Sequence, residues 1–356
     1  MPSLVEVARE HARARRRFAQ VAAHEAARLW GQVDPARIGG SWMPLLARLL
    51  VLLTGAQQAA AGRADSYLDE VLAAQDAPAD RSGRVMAASL AGVASDGRDL
   101  VDLLYQPVIG SLTAIRRGVT PDRALAGGAL RLDMIVRTQV ADAGRVADQV
   151  ALTARPAATG YVRMLVGGGC SRCAILAGRR YAFNAGFDRH PRCDCVHVPA
   201  REDTADEVMT DPKAYFASLS AAEQDRQFTK AGAAAIRLGA DIGQVVNARR
   251  GARGLLTAGA RVTGDEARML RGGRSRGRLE AVDVYGRQLY ITSEGVTVRG
   301  VAGKRLGVRE TGEKVASGRY RSAKTPRLMP ESILQIAGDD RAEAQRLLRR
   351  FGYLTD

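Results

Sequence analysis

Four cysteines and two histidines crowd one short stretch, GGGCSRCAILAGRRYAFNAGFDRHPRCDCVH, from Gly167 to His197. A Cys-x-x-Cys turn, Cys170 and Cys173, brings two thiolates within reach of one tetrahedral ion, and His190-x-x-Cys193 repeats that spacing further on. Cys195 follows at once, so five donors compete for four positions: Cys170, Cys173 and Cys193, with either His190 or Cys195 as the fourth. His197 stands farther out. The nitrogen donor favours zinc over an iron–sulfur cluster. A fully coordinated ion leaves no open position for water, which argues for a structural ion and against a hydrolytic one.

Two plainer accounts compete with zinc: reduced cysteines buried around a hydrogen-bonded histidine, and redox or disulfide chemistry. A Cys/His nucleophile is the enzymatic competitor, because a thiolate beside an imidazole starts cysteine-peptidase chemistry. Crowding argues against it, since sulfurs this close together capture metal or oxidise more readily than they act singly in a cleft. The chain has no Gly-rich phosphate loop, nucleophile elbow or paired-carboxylate motif, so no catalytic residue is assigned.

The elements that must position this stretch are helical. From Leu4 to Trp30 apolar residues (Leu4, Val7, Phe18, Val21, Ala22, Leu29) recur at helical intervals, with the basic run Arg13, Arg15, Arg16, Arg17 on a wet face. Asp34-Pro35 and Gly39-Gly40 predict its end, and a second helix is expected from about Pro44 to Ala74. After a small-residue loop another starts near Leu100. Thr120-Pro121-Asp122 opens a long one, with Leu125, Leu132, Ile135, Val136, Val140, Ala143, Ala147 and Val150 as its apolar stripe, ending at Arg155-Pro156. Asp211-Pro212 and the capping box Ser220…Glu223 start two more, the second running to about Leu238. Val282 and Val284, Leu289 and Ile291, and Val296 and Val298 alternate around Gly286 and Gly295 as a β-meander. Pro330 and Asp340 start two final helices, and Gly352 stops the last.

Composition agrees. Of 356 residues 46% are hydrophobic but only 5% aromatic, which favours helices packed through small side chains over an aromatic-rich β-sandwich. The net charge of +15 is uneven: Arg249 to Pro330 holds nineteen Lys/Arg against seven Asp/Glu. Such a segment gains free energy near a polyanion by releasing counterions, so Arg249, Arg250, Arg274, Arg276 and Arg278 are candidates for nucleic-acid contact. The plainer account is a solvated basic face. The chain opens without a secretion signal, and its most apolar window, Trp42 to Leu53, is shorter than the ~20 residues of a bilayer span and reads as a buried helix.

Together these predict a mainly α protein in three parts: an elongated helical bundle (1–156), a small Cys/His zinc-knuckle-like α+β module with following helices (157–248), and a basic Gly/Arg-rich region with a short antiparallel meander and terminal helices (249–356).

With a long helical start, Cys-x-x-Cys before Ala-Gly-Arg, and His-Pro-x-Cys-x-Cys at His190 to Cys195, the chain resembles the phage Mu F-like minor head proteins, the phage head morphogenesis family. The likeness is greatest to the version carried by actinobacteriophages. It extends to AGVASDGRDLVDLLYQPV (Ala91 to Val108), KAGAAAIRLGADIGQVVNARRG (Lys230 to Gly251), RLMPESI (Arg327 to Ile333) and LLRRFGY (Leu347 to Tyr353). The resemblance implies a non-enzymatic minor capsid protein that works with the portal, other head proteins and phage genomic DNA, with no membrane and no small-molecule substrate. It would be made in the host cytoplasm and reside inside the virion head. The competing function is a zinc-stabilised DNA-binding module acting in packaging or after ejection, with a Cys/His hydrolase behind it.

Overall fold

Helix α1 (Leu4–Trp30) begins at a reciprocal cap: the Ser3 hydroxyl accepts from the Glu6 amide, and the Glu6 carboxylate accepts from the Ser3 amide at 2.8 Å. The computed structural model describes residues 2–166, 169–185, 195–201, 204–249, 279–284, 287–292, 296–297, 303–304, 313–314, 320–322 and 327–354. It is mainly helical and forms two compact units, Met1–Gly169 with Leu176–Thr210, and Cys170–Ile175 with Asp211–Asp356. The region 157–248, expected to stand by itself, is thus divided. Its strands share a core with the N-terminal helices, and its helices belong to the C-terminal unit.

In the first unit α2 (Ile38–Ala61), α3 (Ala64–Ala73), α4 (Leu100–Arg116) and α5 (Pro121–Thr153) join α1. Strands β1 (Gly160–Leu165), β2 (Arg180–Ala182) and β3 (Cys195–Ala200) form an antiparallel sheet in the order β2-β1-β3. At 33 residues, α5 is about 48 Å long and serves two cores. Leu132, Val136 and Val140 pack with α1, α2 and α4, whereas Ala147, Ala151 and Leu152 pack with α1, α3 and the sheet.

Several boundaries differ from expectation for identifiable reasons. Helix α2 starts at Ile38 and runs through Gly39-Gly40 and Pro44 instead of beginning after them. Gly39 is there for close approach, since a Cβ would sit 2.8 Å from the Tyr105 hydroxyl of α4, and the Trp42 indole donates to the Leu104 carbonyl at 3.2 Å. Thr120 begins α5 with extended backbone but no side-chain cap, leaving Pro121 as the start signal. Arg15 is buried, whereas Val21 and Val150, assigned to apolar stripes, are exposed. The apolar window is likewise half right: α2 buries Trp42, Leu46, Leu49 and Leu53 and exposes Met43, Val51 and Leu52. By length and composition Ile38–Ala73 is long and apolar enough to cross a bilayer.

The second unit holds α6 (Ser171–Leu176, apart from its last residue), α7 (Pro212–Ser218), α8 (Ala221–Phe228), α9 (Lys230–Arg237), α10 (Ile242–Ala248), α11 (Pro330–Ala337) and α12 (Arg341–Arg350). The single helix expected to reach Leu238 breaks at Thr229, whose φ is +64° and whose hydroxyl caps the Gly232 amide at 3.3 Å. Strands β4 (Leu279–Val284) and β5 (Arg287–Thr292) pair as predicted, but the third place goes to β9 (Arg327–Leu328). Val296 instead enters a second sheet, β6 (Val296–Thr297), β8 (Tyr320–Ser322) and β7 (Glu313–Lys314), in the order β6-β8-β7. Gly286, Gly295, Val298 and most of the Gly/Arg-rich loops lie outside the described residues.

Neighbouring glycines of α5 provide a paired test of this packing. A Cβ at Gly128 would lie 2.4 Å from Trp30 and 2.6 Å from the Ser111 hydroxyl, whereas one at Gly127 meets nothing within 4 Å. Gly128→Ala is expected to cost about 1–3 kcal/mol by overpacking, and Gly127→Ala to stabilise by about 0.5–1 kcal/mol through helix propensity. Urea denaturation of both variants checks the opposite signs.

Candidate metal centre and buried polar networks

Helix α6 begins one residue after Cys170, and the turn sets the Cys170 and Cys173 sulfurs 3.5 Å apart. The Cys173 amide points at the Cys170 sulfur at 3.4 Å, so the turn itself supplies a donor to a thiolate there. Two sulfurs on one tetrahedral zinc stand roughly 3.8 Å apart, so the pair fits half of such a site. Cys170 is exposed and Cys173 buried. His190 and Cys193 lie outside the described residues, as do Arg250, Arg274, Arg276 and Arg278. Among the described residues no group of three or more His, Cys, Asp or Glu is placed to hold an ion.

Cys195 and His197 are on β3, every residue of which is buried, opposite Leu165 and Arg163 of β1. Their surroundings belong to a network that the sequence reading missed. His11 Nε2 lies 3.0 and 3.1 Å from the two carboxylate oxygens of Asp148, which is 1% exposed on α5. Arg15, one turn along α1, donates to the same carboxylate at 3.2 Å and to the Cys195 carbonyl at 3.4 Å. Tyr67 of α3 stacks on the His11 ring at 3.7 Å, and its hydroxyl donates to the His197 carbonyl at 2.8 Å. The His197 ring in turn leans on Tyr161, 4.6 Å between centroids.

Burial is the largest influence on the Asp148 carboxyl and pushes its pKa up, but His11, Arg15 and His197 outweigh it and hold the group below the ordinary 3.8. The Tyr67 phenol moves the other way, pushed well up by burial and by the Asp148 charge. A clue was available in sequence: His11, Arg15 and Asp148 fall on the buried faces of their helices, in register with Ala8, Ala12, Ala147 and Ala151. Polar residues on an apolar stripe signal a buried pair.

The second unit has its own network. Arg249, a candidate for polyanion contact, meets Glu331 at 2.6 Å, with the two side chains 10% and 3% exposed, so its charge is engaged inside the fold. Arg327 donates to the carbonyls of Phe351 at 2.8 Å and Gly352 at 3.2 Å and lies over the Tyr353 ring at 3.8 Å. The segments Lys230 to Gly251, Arg327 to Ile333 and Leu347 to Tyr353 therefore meet in one buried cluster.

Asp148→Asn leaves Arg15 without its countercharge and is expected to destabilise the N-terminal unit by about 3–5 kcal/mol. Because the folded carboxyl titrates below its unfolded value, its contribution is full above about pH 4 and disappears as pH falls through the lowered folded value. The variant should therefore show a flatter acid limb than the parent in a pH series of denaturation midpoints.

No curated protein and no solved structure matches this chain. A family model described as VG15 protein matches residues 3–222, which takes in the whole helical bundle, the sheet, all four cysteines and the start of the second unit. The chain belongs to the VG15 protein family, a phage-related viral family.

Proposed function

We propose that the chain is a non-enzymatic minor head protein of a tailed phage, of the Mu F-like head morphogenesis type, working beside the portal and the packaged genome. The observation that carries this reading is the family match, which covers a scaffold of long helices in a phage-related family. The resemblance of the cysteine stretch and of the landmark segments adds the head assignment. The acid–base groups of the first unit favour a structural role: His11 and Asp148 are 3% and 1% exposed, out of reach of a substrate that general acid–base catalysis would have to touch. In purified virions, quantitative mass spectrometry should find the chain in low copy relative to the major head protein, and cross-linking should join it to the portal. Absence from virions would overturn the proposal.

Zinc belongs to the same reading. Cys170 and Cys173, with Cys193 and either His190 or Cys195, would hold a structural ion. Elemental analysis is expected to give about one zinc per chain, lost in Cys170→Ser/Cys173→Ser together with protection of residues near the turn from hydrogen exchange. A metal-free, fully protected parent would remove zinc from the account.

The nineteen Lys/Arg from Arg249 to Pro330 favour a second reading, a DNA-binding module acting in packaging or after ejection. It predicts duplex-DNA affinity that falls steeply with salt. Fluorescence anisotropy with the full chain between low and physiological salt reads that slope, and affinity insensitive to salt would dismiss it.

A further inference from the structure

The two ends of helix α5 carry opposite charge. Where α4 turns into α5, Arg116, Arg117, Arg123 and Arg131 are all exposed, and none has an acidic partner among the described residues. Arg116 and Arg117 suit the carbonyl end of α4, and Asp122 suits the amide end of α5, but Arg123 and Arg131 have no such helix-end task. Beyond the other end of α5, Arg155 ties Asp65 and Asp69 of α3 at 3.1 and 2.7 Å. Around that clamp Glu70, Asp76 and Asp80 are exposed and make no ion pair among the described residues; of the cations near them in the chain, Arg81 pairs with Asp69, Arg84 is exposed and Arg63 is half-buried at the start of α3. Some 33 helical residues, about 48 Å, separate the two groups, so they cannot meet within one molecule.

The arginine end also carries apolar surface. Ile109 and Leu112, each 46% exposed, lie two turns and one turn before Arg116 along the outside of α4. Exposed aliphatic side chains interleaved with arginine are the composition of a protein interface, whereas a nucleic-acid surface is polar and charged throughout. The matching charge is carried by the α3 end of the same unit.

We infer that copies of this chain associate head to tail, the arginine-bearing α4–α5 turn of one docking on the acidic α3 end of the next. Such a contact uses two different patches, so it propagates into a closed ring or an open filament and does not stop at a symmetric dimer. The inference rests on the charges of the first unit and does not depend on residence in a phage head.

Sedimentation analysis of the full chain, freed of nucleic acid, tests it. The parent is expected to associate at low salt and to dissociate as salt rises. Arg116→Glu/Arg117→Glu/Arg123→Glu should raise the dissociation constant at least tenfold, and Glu70→Lys/Asp76→Lys/Asp80→Lys should do the same. Mixing the two variants restores complementary pairs at both contacts, so the mixture should recover parent-like association. All these side chains are exposed, and circular dichroism of each variant verifies its fold; a variant that fails this check is replaced by the single reversals Arg123→Glu or Asp80→Lys. A parent that stays monomeric at low salt, association indifferent to either reversal, or folded variants that do not recover on mixing would each overturn the inference. Loss of DNA binding without change in association would assign the arginine end to nucleic acid instead.

Discussion

A carboxylate buried in the middle of a helical unit constrains everything around it. Removing Asp148 from water costs several kcal/mol after relaxation, and only close, well-directed partners offset that. Both side chains that reach it come from α1, where His11 and Arg15 are one helical turn apart. That spacing fixes the axial register of α1 against α5. Gly144, one turn before Asp148, completes the arrangement, because a Cβ there would be 2.9 Å from the Arg15 side chain. Arg15 then reaches the Cys195 carbonyl, and Tyr67 covers His11 while bonding the His197 carbonyl, so the position of β3 follows from the same charge. A hydrophobic core tolerates small slides of helix on helix. A buried carboxylate held by two anchored side chains does not.

This explains which parts of the fold were legible in the sequence. Helix existence was legible, because caps and periodic apolar residues are local: Asp211 and Ser220 both cap as read. Where close approach decided the outcome, local rules misled. Gly39 reads as a breaker in isolation, yet it sits inside α2 because Tyr105 needs the space of a side chain. The meander failed at its third strand for a related reason. Alternation marks Val296 as a strand residue but says nothing of its partner, and the edge of β5 went to Arg327–Leu328, which the Arg327 clamp onto Phe351 and Gly352 already holds in place. Of the candidate site, the Cys170–Cys173 turn was legible from spacing alone, whereas the Asp148 network joins residues 137 positions apart and required the fold.

Arginine accounts for the other difference. Counted in sequence, its abundance suggests a uniformly basic surface. Arg15, Arg155, Arg249 and Arg327 are instead largely or wholly enclosed, each engaging a carboxylate or main-chain carbonyls. The planar guanidinium suits this because it distributes several donors in fixed directions and is less strongly hydrated than an ammonium, so more of its hydrogen bonds survive burial. Net charge therefore reports two populations, one spent on holding segments together and one facing solvent. Arg249 shows how they meet: it is the last described residue before the Gly/Arg-rich stretch, and its bond to Glu331 fixes the root of that stretch on α11.

The scarcity of aromatic residues bears on function as well as on packing. With alanine and glycine at contacts such as Ala12, Ala60, Gly128 and Gly144, helices approach closely and one long helix can run through two successive cores. That arrangement relies on small side chains at the helix contacts. What it does well is hold features at fixed separations along a stiff axis: a charged turn at one end of α5, and at the other an acidic helix, a sheet and the strand that carries Cys195 and His197. The family model matches residues 3–222 and so takes in this scaffold, while the Gly/Arg-rich stretch and the terminal helices lie outside the match.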